Sequence, residues 1–266
     1  MSAGNQTNGV VLCADDFGMN EAVDFGIIRL AEQRRLAAAS CLAHGPTFEA
    51  NAARLALSGA QTGLHLNFTE PMGREGVYLP LSTLIRRAYL RQLDVQAVKA
   101  QIHAQIDAFH AVMGKAPAFV DGHQHIHQLP QIREALIQTL ARRYLKGARP
   151  WLRNTKATAL KGIPGKYRLK AAIIQILGAN AFGRLARREG FRLNARFAGV
   201  YDFRGGESAY RALFAAWLKN TREGDLIMCH PAAWADSGDP MGAQRLAEFN
   251  VLLEQKVGGW LPATEP

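Results

Sequence analysis

The segment 121–127, Asp-Gly-His-Gln-His-Ile-His, is the densest group of residues that can bind a metal or move a proton. An apolar run at 116–120 precedes it and Pro130 follows it, so it lies where a strand ends and a helix begins. On an extended strand end its histidines would point to one face, because side chains alternate along a strand. A lone histidine is usually structural, but three imidazoles and a carboxylate this close would repel or stay unsatisfied without a cation or a proton network. We therefore predict one side of a divalent metal site here.

Other acidic and histidine residues also lie at the ends of apolar runs. Asp15 and Asp16 follow the first run, His65 lies near the end of the third, and His230 follows the last. In a parallel (β/α) barrel the carboxyl ends of the strands share one face, and that face carries the active site. We therefore expect these residues to meet the segment 121–127 at one rim.

Apolar runs alternate with helical patterns about seven times, which favours a parallel sheet and most simply a closed (β/α) barrel of about seven strands. The 266 residues fit one such barrel, which commonly has about 250 residues. We predict a single catalytic domain over 1–266, with 1–8 as a flexible N-terminus, and we interpret 69–92 as an excursion loop. The predicted strands are 9–14, 36–43, 62–67, 118–120, 151–154, 194–200 and 225–229.

The composition is that of an ordinary globular protein, with 48% hydrophobic and 20% charged residues. The N-terminus lacks the apolar core of a signal peptide, and no apolar run has membrane-spanning length. Cys13, Cys41 and Cys229 lie far apart in apolar runs. They predict reduced thiols and a cytoplasmic protein.

The net charge of +10 is concentrated between 133 and 196, where sixteen Lys or Arg stand against two Glu. Solvated helix faces are the favoured interpretation, and nucleic acid, anionic lipid and a phosphorylated substrate are the alternatives. The apolar run 171–182 has basic residues on both sides and is compatible with a peripheral contact with an anionic membrane, although such a helix more often covers a barrel. We expect no nucleic-acid partner.

Asp15 and Asp16 are neighbours, so their side chains diverge and their charges repel. One can bind a metal while the other takes a proton; a helix-capping pair is the alternative. Imidazole and carboxylate ligands suit Zn²⁺, Mn²⁺, Co²⁺ or Mg²⁺, with oxygen-rich sites favouring Mg²⁺ and two imidazoles favouring Zn²⁺. We predict Mg²⁺ or Zn²⁺ as the cofactor.

Four motifs, in order and in spacing, resemble the motif set of the YdjC/ChbG family of carbohydrate deacetylases, over residues 10 to about 235. The resemblance implies a (β/α) barrel of the polysaccharide-deacetylase-like type. It also implies a divalent metal and hydrolysis of the N-acetyl group of a sugar with release of acetate. The motifs are ADDFG at 14–18, GLHLN at 63–67, DGHQHIH at 121–127 and MCHP at 228–231.

The resemblance further implies roles for individual residues. It places the metal on Asp16, His65 and His123. It makes Asp15 the general base, which would deprotonate the attacking water, and His230 the general acid, which would protonate the departing nitrogen.

The residues around this set are candidates for supporting roles. The imidazoles at 125 and 127 would orient the metal ligands, and the carboxylate at 121 would hold one of these two imidazoles. Where many relatives have Gly after the final His-Pro, this chain has Ala-Ala-Trp, so the sugar stays open between a free oligosaccharide and a glycolipid headgroup. The supporting residues are Asp121, His125 and His127, and the candidate substrate contacts are Arg153, Tyr201 and Trp234.

Two other functions stay open from the sequence. One is another divalent-metal hydrolase, such as a phosphoesterase or an amidohydrolase, with the same types of ligand. The other is a basic protein that binds anionic lipid or nucleic acid, in which the rim residues are structural. A homo-oligomer is compatible with the deacetylase and with both alternatives.

Overall fold

The computed structural model describes residues 9–255, so the predicted flexible segment 1–8 lies outside the described residues. Seven strands occur in this part of the chain: β1 (Val11–Phe17), β2 (Ala38–Cys41), β3 (Gln61–Leu66), β4 (Phe119–Gly122), β5 (Trp151–Leu152), β6 (Phe197–Ala198) and β7 (Leu226–Cys229). They form one sheet in the order β5-β4-β3-β2-β1-β7-β6, and every pairing is parallel. The seven parallel strands confirm the sequence prediction.

The curled sheet brings its two edges together. After β5 the chain forms an isolated parallel bridge between Ala157 and Phe197 of β6, and Leu152 bridges Leu193 in the same direction. The N–H of Thr158 donates to the Phe197 carbonyl at 3.0 Å. These contacts link the edges that the short strands β5 and β6 would otherwise leave unpaired.

Nine α-helices surround the sheet in the described residues: α1 (Glu21–Glu32), α2 (Phe48–Leu57), α3 (Leu81–Tyr89), α4 (Val95–Met113), α5 (Ile132–Arg143), α6 (Gly165–Ile174), α7 (Asn180–Arg188), α8 (Gly206–Asn220) and α9 (Gly242–Glu254). Short 3-10 turns cover His123–Gln128 and Lys146–Ala148, and a π-helical segment covers Gln175–Ala179. The side chain of Asn20 caps α1, accepting from the N–H of Val23 at 2.9 Å.

β1 is longer than the predicted strand and contains both adjacent carboxylates. It runs from Val11 to Phe17 and is buried throughout, so Asp15 and Asp16 do not lie in a loop. Asp16 has a φ of 72°, and the register with β2 shifts between Ala14 and Phe17. This bulge turns neighbouring carboxylates in different directions, which an unbroken apolar run in the sequence does not reveal.

The histidine segment after β4 is not extended, so the prediction that its three histidines share one face is wrong. It forms a tight 3-10 turn in which Gln124 and His125 have φ values of 54° and 62°. The left-handed backbone at these positions ends the alternation of side chains.

The segment predicted as one loop over 69–92 contains α3. Leu84 and Ala88 are fully buried there, and Leu81 and Ile85 pack against the core beside them. These four residues follow helical spacing, but the Pro and Gly residues between 71 and 80 favoured a loop for the whole segment. In the described part of the chain, no helix is long and apolar enough to cross a membrane, and all three cysteines are buried free thiols.

Candidate functional site

A cavity of about 910 Å³ opens at the carboxyl ends of the strands. The residues that the sequence placed at strand ends line it together: Asp15 and Asp16 from β1, His65 from β3, His123 after β4 and His230 after β7. The parallel sheet therefore brings these distant parts of the chain to one mouth, as expected for this architecture.

Asp16, His65 and His123 form a compact group of metal-ligand type. One ligand atom from each lies within 4.8 Å of the others, and all three residues are buried. Oδ1 of Asp16 lies 3.3 Å from Nε2 of His65 and 3.0 Å from Nδ1 of His123. One oxygen and two imidazole nitrogens thus face the same small volume.

Asp121 fixes the orientation of His65. Its Oδ1 lies 2.6 Å from Nδ1 of His65, and the hydroxyl of Ser40 donates to the same oxygen at 2.5 Å. Burial alone would lower the pKa of His65, but the carboxylates of Asp121 and Asp15 raise it to about 10. Ser40 was not predicted, and its only signal is a small polar residue in the apolar strand β2.

Arg245 of α9 holds the other oxygen of Asp16. Its guanidinium donates to Oδ2 at 2.8 Å and pairs with Asp239 at 2.7 Å. Burial alone would raise the pKa of Asp16, but Arg245 and His123 hold it well below its ordinary value. Asp16 is therefore a carboxylate with one oxygen, Oδ1, directed at the two histidines.

Arg153 is not among the described residues that line the cavity. It is fully buried and donates to both oxygens of Asp15 at 2.6 Å, while the same guanidinium lies 2.6 Å from Oδ2 of Asp121. A bidentate ion pair of this kind fixes the orientation of a carboxylate and balances its charge. The structure thus places Arg153 against the carboxylates rather than in a position to touch a substrate.

His230 is held through its backbone. Its N–H donates to Oε2 of Glu248 at 2.6 Å, and the hydroxyl of Tyr201 donates to Oε1 at 2.5 Å. Burial lowers the pKa of His230 to about 4, so the imidazole is neutral at neutral pH. It must therefore gain a proton during a reaction before it can donate one. Burial raises the pKa of Glu248 to about 7.

The other predicted site residues contact groups other than the three ligands. His127 bonds through Nε2 to the carbonyl of Arg153 at 2.9 Å, and His125 lines the cavity with its ring edge-on to Phe197. Tyr201 also lines the cavity. Trp234 is 45% exposed and packs on a phenylalanine of α1, and it is not among the residues that line the cavity in the described chain.

The residues fit a divalent cation at Asp16, His65 and His123. Two imidazoles and one carboxylate form a mixed nitrogen and oxygen set, and the carboxylate behind His65 is the usual support of a metal-binding histidine. A second group of metal-ligand type comprises Cys13, Asp15 and Asp121. The guanidinium of Arg153 contacts all three of these residues and already supplies the positive charge there.

Comparisons with known proteins agree with this fold. A crystal structure of a candidate cellobiose-phosphate cleavage protein from Enterococcus faecalis V583 superposes with a TM-score of 0.65, at 21% identity over 93% of this chain and 91% of that one. At this identity the similarity shows the fold alone.

Several curated relatives are named as deacetylases. A mouse protein named carbohydrate deacetylase is 26% identical over 95% of this chain and 90% of its own length. The human protein of that name is 28% identical over 49% of this chain, and the alignment spans 45% of its length. A chitooligosaccharide deacetylase of Yersinia pestis is 26% identical over 46% of this chain and 52% of its own length. A family model described as YdjC-like protein matches residues 9–263, and the chain therefore belongs to the YdjC-like family.

Proposed function

We propose that this protein hydrolyses the N-acetyl group of an N-acetylated sugar with the help of a divalent metal ion and releases acetate. The observation that carries the proposal is the cavity in which Asp15 lies beside the compact group of Asp16, His65 and His123. The names of the relatives support the reaction, since the mouse and Yersinia pestis proteins are called carbohydrate and chitooligosaccharide deacetylases.

Asp16, His65 and His123 would hold the metal, either Mg²⁺ or Zn²⁺. Bound there, a divalent ion would supply polarisation of an amide oxygen and a lowered pKa of a water molecule. Asp121 holds His65 and Arg245 holds Asp16, so these two ligands are oriented before a metal binds.

Asp15 is the proposed general base. Both of its oxygens are held by Arg153, so its carboxylate is not free to rotate, and Asp15 lines the cavity. A carboxylate in this position can accept a proton from water as the water attacks the acetyl carbon.

His230 is the proposed source of the proton for the departing nitrogen. Its ring lines the same cavity and its backbone is fixed by Glu248. Because the imidazole is neutral at neutral pH, it can pass on the proton only after receiving one. We infer that the proton removed from water reaches the amine through this side chain.

Release of acetate from N-acetylglucosamine oligomers tests the proposal. Wild-type protein should release acetate, and a chelator should abolish the activity until Mg²⁺ or Zn²⁺ is added back. Asp15→Asn should lower kcat about 10²- to 10⁴-fold, the usual contribution of a general base, while the variant still binds metal. Hydrolysis of aryl phosphates without release of acetate would instead indicate a phosphoesterase.

A further inference from the structure

The cavity that contains the proposed catalytic residues has a second, chemically different wall. This aliphatic wall consists of side chains from the loop after β3, from α3, from the turn after β4, from α6 with its π-helical extension, and from the start of α9. Its members are Met72, Leu81, Ile85, Leu129, Ile173, Ile174, Leu177 and Met241.

The aliphatic wall reaches the protein surface along α6. Ile173 lines the cavity and is still 49% exposed, and Leu169, one helical turn earlier, is 63% exposed. Residues four apart lie on one face of a helix, so this face of α6 presents apolar groups to the cavity and to its outer edge. Exposed apolar surface that continues into a cavity is typical of a ligand-binding groove.

A sugar alone does not account for this wall. Sugar hydroxyls need hydrogen-bond partners, and the eight side chains of the aliphatic wall offer only weak thioether acceptors. The aromatic rings in the cavity lining, Tyr201 and Phe203, lie beside His230, where a sugar face could stack on them. The cavity volume of about 910 Å³ lies near the upper end of small-molecule sites, which occupy about 300–1,000 Å³. Space and apolar surface therefore remain when an N-acetyl group lies beside Asp15.

We infer that the substrate is an N-acetylated sugar that carries an aliphatic group, and that the aliphatic wall binds that group. The inference rests on the proposed deacetylation, since it assigns the sugar end of the substrate to Asp15 and its neighbours. The aliphatic end then extends past Ile85 and Leu177 and leaves the cavity at Ile173, where the wall is open to solvent. Burial of each methylene favours binding by about fourfold.

The test compares the methyl and octyl glycosides of N-acetylglucosamine, below the concentration at which the octyl compound forms micelles. The octyl glycoside should have a kcat/KM at least about tenfold higher, since burial of only two methylenes accounts for that factor. Ile173→Ser and Ile85→Ser should each lower kcat/KM for the octyl glycoside. Octyl glucoside, which has no acetyl group, should inhibit the wild type competitively and inhibit both variants less.

Leu57→Ser is the matched control. Leu57, at the end of α2, is 88% exposed, and it is not among the residues that line the cavity in the described chain. This variant should keep the wild-type preference for the octyl glycoside. An equal loss in Leu57→Ser and Ile173→Ser would overturn the assignment to the cavity wall.

The outcomes separate this inference from the proposed function. Equal kcat/KM values for the two glycosides, with acetate released from both, would overturn the aliphatic substrate and leave deacetylation standing. Release of acetate from neither glycoside by folded, metal-loaded protein would overturn both.

Discussion

Asp121 contacts both His65 and Arg153 and so links the proposed metal ligands to the proposed base. One of its oxygens holds His65 and the other lies 2.6 Å from Arg153, which in turn holds Asp15. Burial opposes its ionisation, but Arg153 and His65 keep its pKa below the ordinary value. The carboxylate therefore stays charged in the interior and sets the direction of both a metal ligand and, through Arg153, the proposed base.

Asp121→Asn should weaken metal binding about 10- to 100-fold, the usual effect of losing the partner of a metal-binding histidine. The amide keeps the shape of the side chain but removes the charge that orients and polarises His65. The affinity is measured by competition with a chelator of known strength. Asp107→Asn is the control, since Asp107 is 60% exposed and pairs with Arg143 away from the cavity. An unchanged affinity in Asp121→Asn would contradict this role.

At the residue scale, the sequence indicated the rim residues but not their partners. Asp16 and His230 follow apolar runs in the sequence, so their place at one rim could be predicted. Arg245 and Glu248 lie on a helix, where a charged residue usually faces water. The sequence indicated their burial only through their spacing. Arg245, Glu248 and Leu252 are three and four residues apart, so they share the buried face of α9. Which carboxylate or backbone they contact depends on the assembled fold.

Two irregular elements shape the cavity, and they meet at Gly178. The 3-10 turn His123–Gln128 packs against the π-helical segment Gln175–Ala179, in which Gly178 has a φ of 150°. A Cβ at this position would lie 2.2 Å from the carbonyl oxygen of Gln128. Only glycine allows this close approach, which holds Leu177 in the cavity wall.

Gly178→Ala should destabilise the protein by about 2 kcal/mol or more, because the added methyl group forces the backbone of one element away from the other. This corresponds to a fall in Tm of roughly 4–8 °C for a chain of this size. Gly147→Ala is the control, since a Cβ there meets nothing within 4 Å. Equal Tm values for the two variants would show that the contact carries no strain.

At the element scale, the sequence predicted the regular strands because buried parallel strands are continuous apolar runs. β1, β4 and β7 all lie at or beside the predicted positions. The bulge at Asp16 and the left-handed backbone at Gln124 and His125 could not be predicted. None of these three residues is a glycine, the residue that usually marks such backbone. Tertiary contacts impose these conformations.

At the scale of the whole molecule, buried histidines should control stability in acid. Burial lowers the pKa values of His127 and His230 to about 4. Between about pH 6.5 and pH 4 they stay neutral in the folded protein, whereas the unfolded chain takes up their protons. Glu248 acts in the opposite direction, because burial raises its pKa to about 7 and it takes up a proton in the folded protein. It offsets the effect of one of the two histidines on stability.

The free energy of unfolding should therefore fall as the pH decreases from about 6.5 to about 4, by about 1.4 kcal/mol per pH unit for each net proton taken up. His65 does not change this sign, because its pKa of about 10 leaves it protonated in both states below pH 6.5. Urea unfolding of chelator-treated protein at several pH values measures the slope. A free energy that is constant over this range would contradict the buried neutral histidines.

The central claim is that Asp16, His65 and His123 hold one ion that deacetylation requires. The most direct measurement is the metal content of wild-type and His123→Ala protein by mass spectrometry, with release of acetate from the same samples. We predict one ion per chain and acetate release for the wild type, and loss of both in His123→Ala. Full release of acetate from metal-free wild-type protein, or from His123→Ala without bound metal, would contradict the account.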